Sequence, residues 1–223
     1  PEEDYDSVEA LSNVNVVYGE PVTNQSVFIQ TKNVPDVKVR QAMLYAIDRQ
    51  QILEELLNGH GEIVDGFLSS ASPFYDDSLT PISYDPEKAK TILEDAGCTM
   101  SENGFYERNG KEIGFVISVM AGEQDRIDIA QAAAQQLRDI GINCTVDIPA
   151  QMDWGGQMAC LIGWGSPFDA DDHTYKVFGT DKGANYSGYS NAAVDSYLKL
   201  ARETSDPEQR RQYCAKSHEA LAA

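Results

Sequence analysis

Residues 112–148 read EIGFVISVMAGEQDRIDIAQAAAQQLRDIGINCTVDI, and the fold class is predicted from this stretch. Its first part, Glu112–Met120, is rich in β-branched and aromatic residues, which favours a strand. In Gln124–Ile140 the apolar residues recur at helical spacing, and Gly141 ends the pattern, so a long helix is expected. Ile142–Ile148 then predicts a second strand. Strands and helices that alternate at these lengths are typical of an α/β or α+β sheet flanked by helices.

Helix start signals predict further helices around this unit. Asp36 and Asp48 precede apolar, periodic segments as N-caps, and Gln51 occupies the partner position of a capping box. Asp85-Pro86-Glu87 combines a cap, a proline at the first helical position and an acidic first turn. The predicted elements form one domain. They are strands at Val14–Tyr18, Val27–Thr31 and Met158–Trp164, a hairpin turn at Asn109-Gly110, a loop over Gly61–Ser83, and helices at Asp36–Ile47, Asn191–Glu203 and Asp206–Ala220, with residues 1–11 flexible.

The charge balance limits the classes of partner. The 223 residues include 36 acidic and 17 basic side chains, which give a formal net charge of −19. Nucleic acids and anionic membrane surfaces both attract basic protein surfaces, so this balance argues against both. Solubility alone is a sufficient reason for the acidic excess. No stretch approaches the roughly 20 apolar residues that a membrane-spanning helix requires.

The four cysteines do not indicate a metal site. Cys98, Cys144, Cys160 and Cys214 have spacings that match no zinc motif. Cys144 and Cys160 lie in apolar surroundings and are expected to be small buried residues. A disulfide cannot be inferred from these spacings, so the redox compartment stays open.

Enzymatic chemistry has little support in the sequence. There is no Gly-x-Ser-x-Gly nucleophile elbow and no phosphate-binding glycine loop. Of the three histidines, His60 is expected in an exposed loop and His218 in a solvated or packing role on the last helix. His173 follows two aspartates and is the one histidine that we consider for ligand contact, although a structural role is favoured. No enzyme is predicted.

An acidic cluster precedes His173. Asp169, Asp171 and Asp172 do not match the spacing of an EF-hand calcium loop. Acidic residues are favoured at the positive end of a helix dipole, so we interpret the cluster as a helix N-terminus. Contact with a cationic group of a ligand is the alternative.

The heptapeptide Gly163–Asp169, GWGSPFD, is the candidate binding element. Two glycines and a proline around a tryptophan predict special backbone geometry beside a large flat side chain. Such a ring can stack on a flat ligand or attract a cation through its π face, although a tryptophan after a strand can also be core. The ligand-binding residues predicted here are Trp164, Ser166, Phe168 and Asp169.

Five stretches together resemble a known family. The family is the bacterial extracellular solute-binding proteins of family 5, which feed peptide and nickel ABC importers. The resemblance covers about residues 27 to 220, in the family's order. The stretches are VRQAMLYAIDR at 39–49, YDPEKAK at 84–90, LRDIGI at 137–142, GYSN at 188–191 and RRQY at 210–213.

The resemblance implies one lobe of a type II periplasmic-binding-protein-like fold, with a mixed sheet flanked by helices. It implies that residues 1–223 are a single lobe, that a partner lobe is absent from this chain, and that ligand binds between the two lobes. It also implies ABC permease subunits as membrane partners, no cofactor, and a location in the periplasm or at a lipid anchor outside the cell membrane. The alternatives are a sensor or adhesion module, or a hydrolase that uses His173.

The ligand stays open between a peptide and a nickel or other metal chelate. Peptide binders of the family carry an aspartate three residues after this tryptophan, where Pro167 stands. The stretch is more similar to the WGaPYDP of nickel-binding members, in which the counterparts of Trp164 and Phe168 line the cleft. The histidine of those members is not evident near Asp181 and Lys182, so direct nickel ligation is not predicted.

Overall fold

The computed structural model describes residues 5–19, 22–76, 78–79, 81–165 and 169–222. They form eight helices and seven strands. In chain order these are α1 (Tyr5–Glu9), β1 (Thr23–Ile29), α2 (Val37–Ala46), α3 (Arg49–Leu56), α4 (Pro86–Asp95), β2 (Thr99–Met100), β3 (Tyr106–Arg108), β4 (Lys111–Glu112), β5 (Gly114–Ser118), α5 (Gln124–Asp139), β6 (Asn143–Asp147), β7 (Ala159–Gly165), α6 (Ala170–Phe178), α7 (Ala192–Glu203) and α8 (Pro207–Ala222).

A mixed four-stranded sheet organises the chain. Its strand order is β1-β7-β5-β6, with β5 parallel to both β6 and β7 and with β1 antiparallel to β7. Helix α5 connects the parallel neighbours β5 and β6, as parallel pairing requires a crossover. The predicted strand–helix–strand unit and the mixed sheet flanked by helices are therefore confirmed. A small sheet of β2, β3 and β4 forms separately.

The two faces of the sheet pack against different layers. Along β7, Ala159 and Leu161 join the large core that includes buried residues of α2, α4 and α5. Cys160 and Trp164 alternate onto the opposite face, where Cys160 packs in a second cluster with Phe28 of β1 and Val177 of α6. This period of two is the ordinary alternation of side chains along a strand.

Local capping signals place the helices correctly. Asp36, Asp48 and Asp85 accept hydrogen bonds from the backbone N–H groups of residues 38, 51 and 88 at 2.8, 2.9 and 2.9 Å. In a capping box the side chain of Gln51 would accept the N–H of Asp48. Here the N–H of Asp48 donates instead to Oε1 of Gln136 on α5, at 2.9 Å. The hairpin turn is confirmed by positive φ at both Asn109 and Gly110.

Two strand predictions require correction. Val14–Tyr18 is not a strand, and Val17 is almost fully exposed. Its β-branched residues find no pairing partner among the described residues, and β-propensity without pairing does not make a strand. Strand β1 begins at Thr23, before the predicted start at Val27, because its whole length pairs with β7. Ile113 separates β4 from β5, so the predicted strand Glu112–Met120 is shorter.

An arginine holds the long loop after α3. No helix or strand interrupts the described residues of the predicted loop Gly61–Ser83. The Arg49 guanidinium donates to the carbonyl oxygens of Val64 (2.9 Å) and Ile82 (2.6 Å) and forms an ion pair with Asp65 (2.8 Å). These bonds join both ends of the loop to α3. They therefore restrict the conformations of the loop although it contains no helix or strand among its described residues.

The cysteines are buried and do not form disulfides. Cys98, Cys144, Cys160 and Cys214 are all free. Burial raises the pKa of the Cys144 thiol to about 12 and the pKa of Cys160 to about 11. Both thiols therefore stay protonated at neutral pH, which makes them inert packing residues, as predicted.

His218 on α8 is almost fully buried, not solvated. Neither of its ring nitrogens has a hydrogen-bond partner among the described residues, and the same holds for Oδ2 of the buried Asp76. Burial lowers the pKa of His218, and the Asp76 carboxylate opposes this shift only in part. The folded chain therefore favours the neutral imidazole.

We expect this histidine to make stability depend on pH. As pH falls below about 6.5, the unfolded chain binds a proton at His218 that the folded chain does not bind, so the free energy of unfolding decreases. The decrease continues until the lower pKa of the folded state is reached. Denaturant unfolding between pH 8 and pH 5 should show a shallower decrease for His218→Gln than for the wild type. Equal decreases would contradict the prediction.

Candidate ligand-binding site

The candidate site lies at the carboxyl edge of the parallel strands. Strands β5, β6 and β7 run in the same direction, so Ser118, Asp147 and Gly165 end them on one side of the sheet. In open α/β sheets, ligands bind outside this edge. The amino end of the antiparallel β1 reaches the same edge, because Thr23 pairs with Gly165.

Trp164 stands at this edge as the penultimate residue of β7. It is half-buried and lies opposite Asn24 of β1. Its indole packs against the second cluster of the fold, and its ring centroid is 6.4 Å from that of Tyr186. The ring is therefore neither sealed in the core nor fully presented to solvent.

A third ring extends this surface. Trp154, in the loop between β6 and β7, stacks on Tyr186 with ring centroids 4.8 Å apart and planes inclined by 28°. We call Trp154, Tyr186 and Trp164 the aromatic stack. Sequence patterns did not identify Trp154 or Tyr186. The available signal was the glycine pair after Trp154, since a Cβ at Gly156 would overlap the Asp153 carboxylate that closes the turn.

The glycines beside Trp164 have a different role from the predicted one. Gly163 and Gly165 lie within β7 and have no positive φ, so the predicted special geometry is wrong at these two positions. Glycine is needed at both positions because a Cβ atom on the face opposite the indole would be too close to neighbouring side chains. A Cβ at Gly163 would lie 2.7 Å from Nη2 of Arg126, whose Nε donates to Oε1 of Gln25 at 2.9 Å. These glycines allow close approach and do not clear space around the ring.

One backbone edge of β7 extends past its neighbour. Strand β1 pairs with all seven residues of β7, whereas β5 pairs only with Ala159 and Cys160. Among the described residues, no strand pairs with the β5-facing edge at Leu161, Ile162 and Gly163. Trp164 follows this edge directly in β7. Unpaired main-chain groups of the strand and the indole ring therefore lie next to each other.

Asp169 and Asp171 begin helix α6, as the sequence interpretation proposed. The Asp169 carboxylate accepts the N–H of Asp171 at 2.8 Å and forms an ion pair with Arg210 of α8 at 2.5 Å. Asp171 pairs with Arg202 of α7 at 3.2 Å. Within the described part of the chain, no group of histidine, cysteine, aspartate or glutamate side chains could hold a metal ion.

The structure leaves part of the predicted site open. Ser166 and Phe168 lie outside the described residues, and so does the side chain of His173. Ligand contact by Trp164, Ser166, Phe168 and Asp169 therefore stays a prediction. Asp169 already has a cationic partner in Arg210, which accounts for its position without a ligand.

Comparison with known proteins identifies the family. Residues 1–186 match the model for bacterial extracellular solute-binding proteins, family 5 Middle. The chain is 31% identical to the oligopeptide-binding protein AppA of Bacillus subtilis over 94% of its own length and 41% of that protein. None of the helices in the described residues has the length and apolar character needed to cross a membrane.

Two solved structures share the fold and more than a quarter of the sequence. NikZ from Campylobacter jejuni, in complex with Ni(L-His), has a TM-score of 0.90 and 29% identity, over 99% of this chain and 47% of that chain. Bacillus subtilis AppA, in complex with a nonapeptide, has a TM-score of 0.88 and 29% identity, over 100% and 47%. The chain thus spans less than half the length of these relatives. It belongs to the bacterial extracellular solute-binding proteins of family 5.

Proposed function

We propose that residues 1–223 form one ligand-binding lobe of a solute-binding protein that delivers its ligand to an ABC importer, with peptides as the favoured ligands. The family match and relatives named as oligopeptide-, dipeptide- and nickel-binding proteins support this proposal. These relatives are binding proteins, so catalysis is not part of the proposed function. A sensor that reuses the lobe without transport would have the same site.

The proposal of a peptide rests mainly on the open edge of β7 beside Trp164. An extended peptide can add to an exposed strand edge through main-chain hydrogen bonds, and such bonds are independent of the peptide's sequence. At Leu161–Gly163 this edge has no described strand partner. The aromatic stack next to it offers a flat apolar wall for side chains of the ligand.

A nickel chelate is the second candidate. It is favoured by the likeness to NikZ, whose structure contains Ni(L-His). A chelate that brings its own nitrogen and oxygen ligands needs from this lobe only a surface for stacking, which the aromatic stack supplies. In that case Trp164 would stack on the chelate, as part of the same aromatic wall of the site.

The remaining parts of the proposal concern the longer protein. The relatives are about twice as long, which supports a second lobe that closes over the ligand by a hinge motion. One lobe alone buries a ligand on one side only, so tight binding requires both lobes. We propose a location outside the cytoplasmic membrane, in the periplasm or at a lipid anchor, where the ligand is transferred to permease subunits.

Main-chain binding can be tested with N-methylated peptides. The full-length protein that contains residues 1–223 is titrated calorimetrically with alanine pentapeptides methylated at one amide at a time. Methylation at the amides that face β7 is expected to weaken binding about tenfold, because each loses a hydrogen bond. Methylation at the intervening amides should have little effect, since a strand edge pairs with alternate residues of its partner.

Three results are informative about the ligand. A loss that alternates along the peptide supports pairing with the strand edge. Uniform affinities for all methylated peptides contradict it. Binding of nickel–histidine without binding of any peptide favours the second candidate.

A further inference from the structure

We propose that Met120 and Asp147 form a subsite for a basic side chain of a peptide ligand, a lysine or an arginine. We call these two residues the basic subsite. This inference rests on the proposed function, because it assigns specificity to a peptide bound along β7. Neither residue was predicted as a site residue from the sequence.

Both side chains lie on the sheet face of Trp164. Val119 and Val146 pack in the large core, on the α5 side of the sheet, whereas Trp164 packs in the second cluster on the other side. Met120 follows Val119 directly, and Asp147 follows Val146 directly. The N–H of Val119 donates to the carbonyl of Asp147 at 3.0 Å, so the pairing of β5 with β6 continues here. Because side chains alternate along paired strands, Met120 and Asp147 share the face opposite the large core.

The segment that follows β5 stays with β6 and leaves the edge of β7 open. The N–H of Ala121 donates to the carbonyl of Pro149 at 3.1 Å, so the segment runs beside the chain that follows β6 past Met120. No hydrogen bond of the described residues joins this segment to the open edge of β7 at Leu161–Gly163. A peptide strand that pairs with the open edge would therefore lie between β7 and Met120.

A basic side chain has the length that this arrangement requires. Neighbouring strands lie about 5 Å apart, so β6 is about 10 Å from a peptide strand that has the Met120 segment between them. The aliphatic stem of lysine or arginine can cross Met120, whose thioether is flexible and polarizable. The cationic end then reaches the carboxylate of Asp147. A short side chain would end at Met120 and would not reach Asp147.

The carboxylate of Asp147 is available for such a contact. It is exposed, and it has no hydrogen bond or ion pair with the described residues. Among the described residues of the four strands of the mixed sheet, Asp147 is the one charged side chain. Asp169 and Asp171 on α6, in contrast, are already paired with arginines of later helices. The net charge of −19 also favours the approach of a cationic peptide.

The test compares lysine with norleucine, a straight-chain residue without charge. The full-length protein that contains residues 1–223 is titrated calorimetrically with alanine pentapeptides in which one alanine is replaced by lysine or by norleucine. At one position lysine is expected to bind about fivefold more tightly than norleucine, the upper range for an ion pair that solvent reaches. The preference should decrease at high salt, because salt screens exposed charges.

Each residue of the basic subsite has its own variant. Asp147→Asn should remove the preference for lysine over norleucine. Met120→Ser should reduce the gain of norleucine over alanine at the same position, because the stem loses apolar contact. Circular dichroism of each variant verifies that the fold is retained.

The chain contains a matched control for the lost charge. Glu102 is exposed in the turn between β2 and β3, at the opposite edge of the sheet, where the carbonyl of Gly104 lies beside Gly141 just before β6. Glu102→Gln removes one negative charge, as Asp147→Asn does. It should leave the preference for lysine unchanged.

The outcomes separate this inference from the proposed function. If lysine has no preference at any position, or if either gain survives its variant, the subsite is wrong while peptide binding stands. If lysine is preferred equally at all five positions, or if Glu102→Gln acts like Asp147→Asn, the overall charge attracts the peptide, which also overturns the subsite. If no peptide binds the wild type, both the peptide assignment and the subsite fail.

Discussion

Replacing Leu137 with alanine is expected to lower the free energy of unfolding by about 3 kcal/mol. Leu137 lies on the inner face of α5 and is buried in the core between this helix and the sheet, with Ile117 and Ile142 in the same cluster. Alanine removes apolar contacts and leaves a cavity, because neighbours on a hydrogen-bonded sheet collapse only in part. The small gain in helix propensity from alanine does not offset this loss.

Denaturant unfolding of wild type and variant, followed by circular dichroism, measures the difference. Leu200→Ala is the matched control, since it makes the same chemical change in the middle of α7 at a side chain that is exposed. Its cost is expected to stay below about 1 kcal/mol. Equal costs for the two variants would show that α5 does not carry the core of the fold.

The helices were predictable because their signals are local. An aspartate at positions 36, 48 and 85 caps a helix through an N–H only two or three residues away, so the signal and its effect lie in the same short segment. The same holds for Asn191, whose side chain accepts from Ala193 and Val194. Such bonds form whatever the rest of the chain does.

The strands were less predictable because pairing decides them. Val14–Tyr18 has strand composition but pairs with no strand among the described residues, whereas Thr23–Ser26 has ordinary composition and becomes strand by pairing with β7. The partner of Thr23 is Gly165, far along the chain. No window of sequence contains both residues, so the start of β1 could not be read locally.

The candidate site shows the same division. Trp164 was predicted as a site residue from its own neighbours. The role predicted for the glycines beside it was wrong, because the side chains of Arg126 and Gln25 fill the space next to Gly163 on the face opposite the indole. Tyr186 joins the aromatic stack only after folding brings its loop to the end of β7. Tertiary juxtapositions of this kind leave no periodic pattern in the sequence.

The acidic cluster illustrates how remote partners decide between two interpretations. Asp169 and Asp171 fitted both a helix start and a contact with a cationic ligand. In the fold, the helix start is present and the cations are Arg210 and Arg202, which come from two later helices. The sequence contained the cap, but only the packing of α7 and α8 against α6 revealed the ion pairs.

The second large effect is expected on the affinity for the ligand. Trp164→Ala in the full-length protein should weaken the binding of a peptide about 100-fold in calorimetric titration. Half-buried aromatic residues at the centre of a site lose much apolar contact with the ligand when truncated, and Trp164 adjoins both the open edge of β7 and Tyr186. Trp164→Phe retains a ring and should lose about tenfold or less.

Loss of packing must be separated from loss of ligand contact, because the indole also lies against the cluster of Phe28, Cys160 and Val177. Val177→Ala is the matched control for packing, since Val177 is fully buried in that cluster on α6. It should lower the melting temperature and leave peptide affinity unchanged. If Val177→Ala and Trp164→Ala weaken binding equally, the indole acts through the core alone. If Trp164→Ala retains both its fold and wild-type affinity, Trp164 is not a ligand-binding residue. The edge of β7 would then have to bind peptide without the ring beside it.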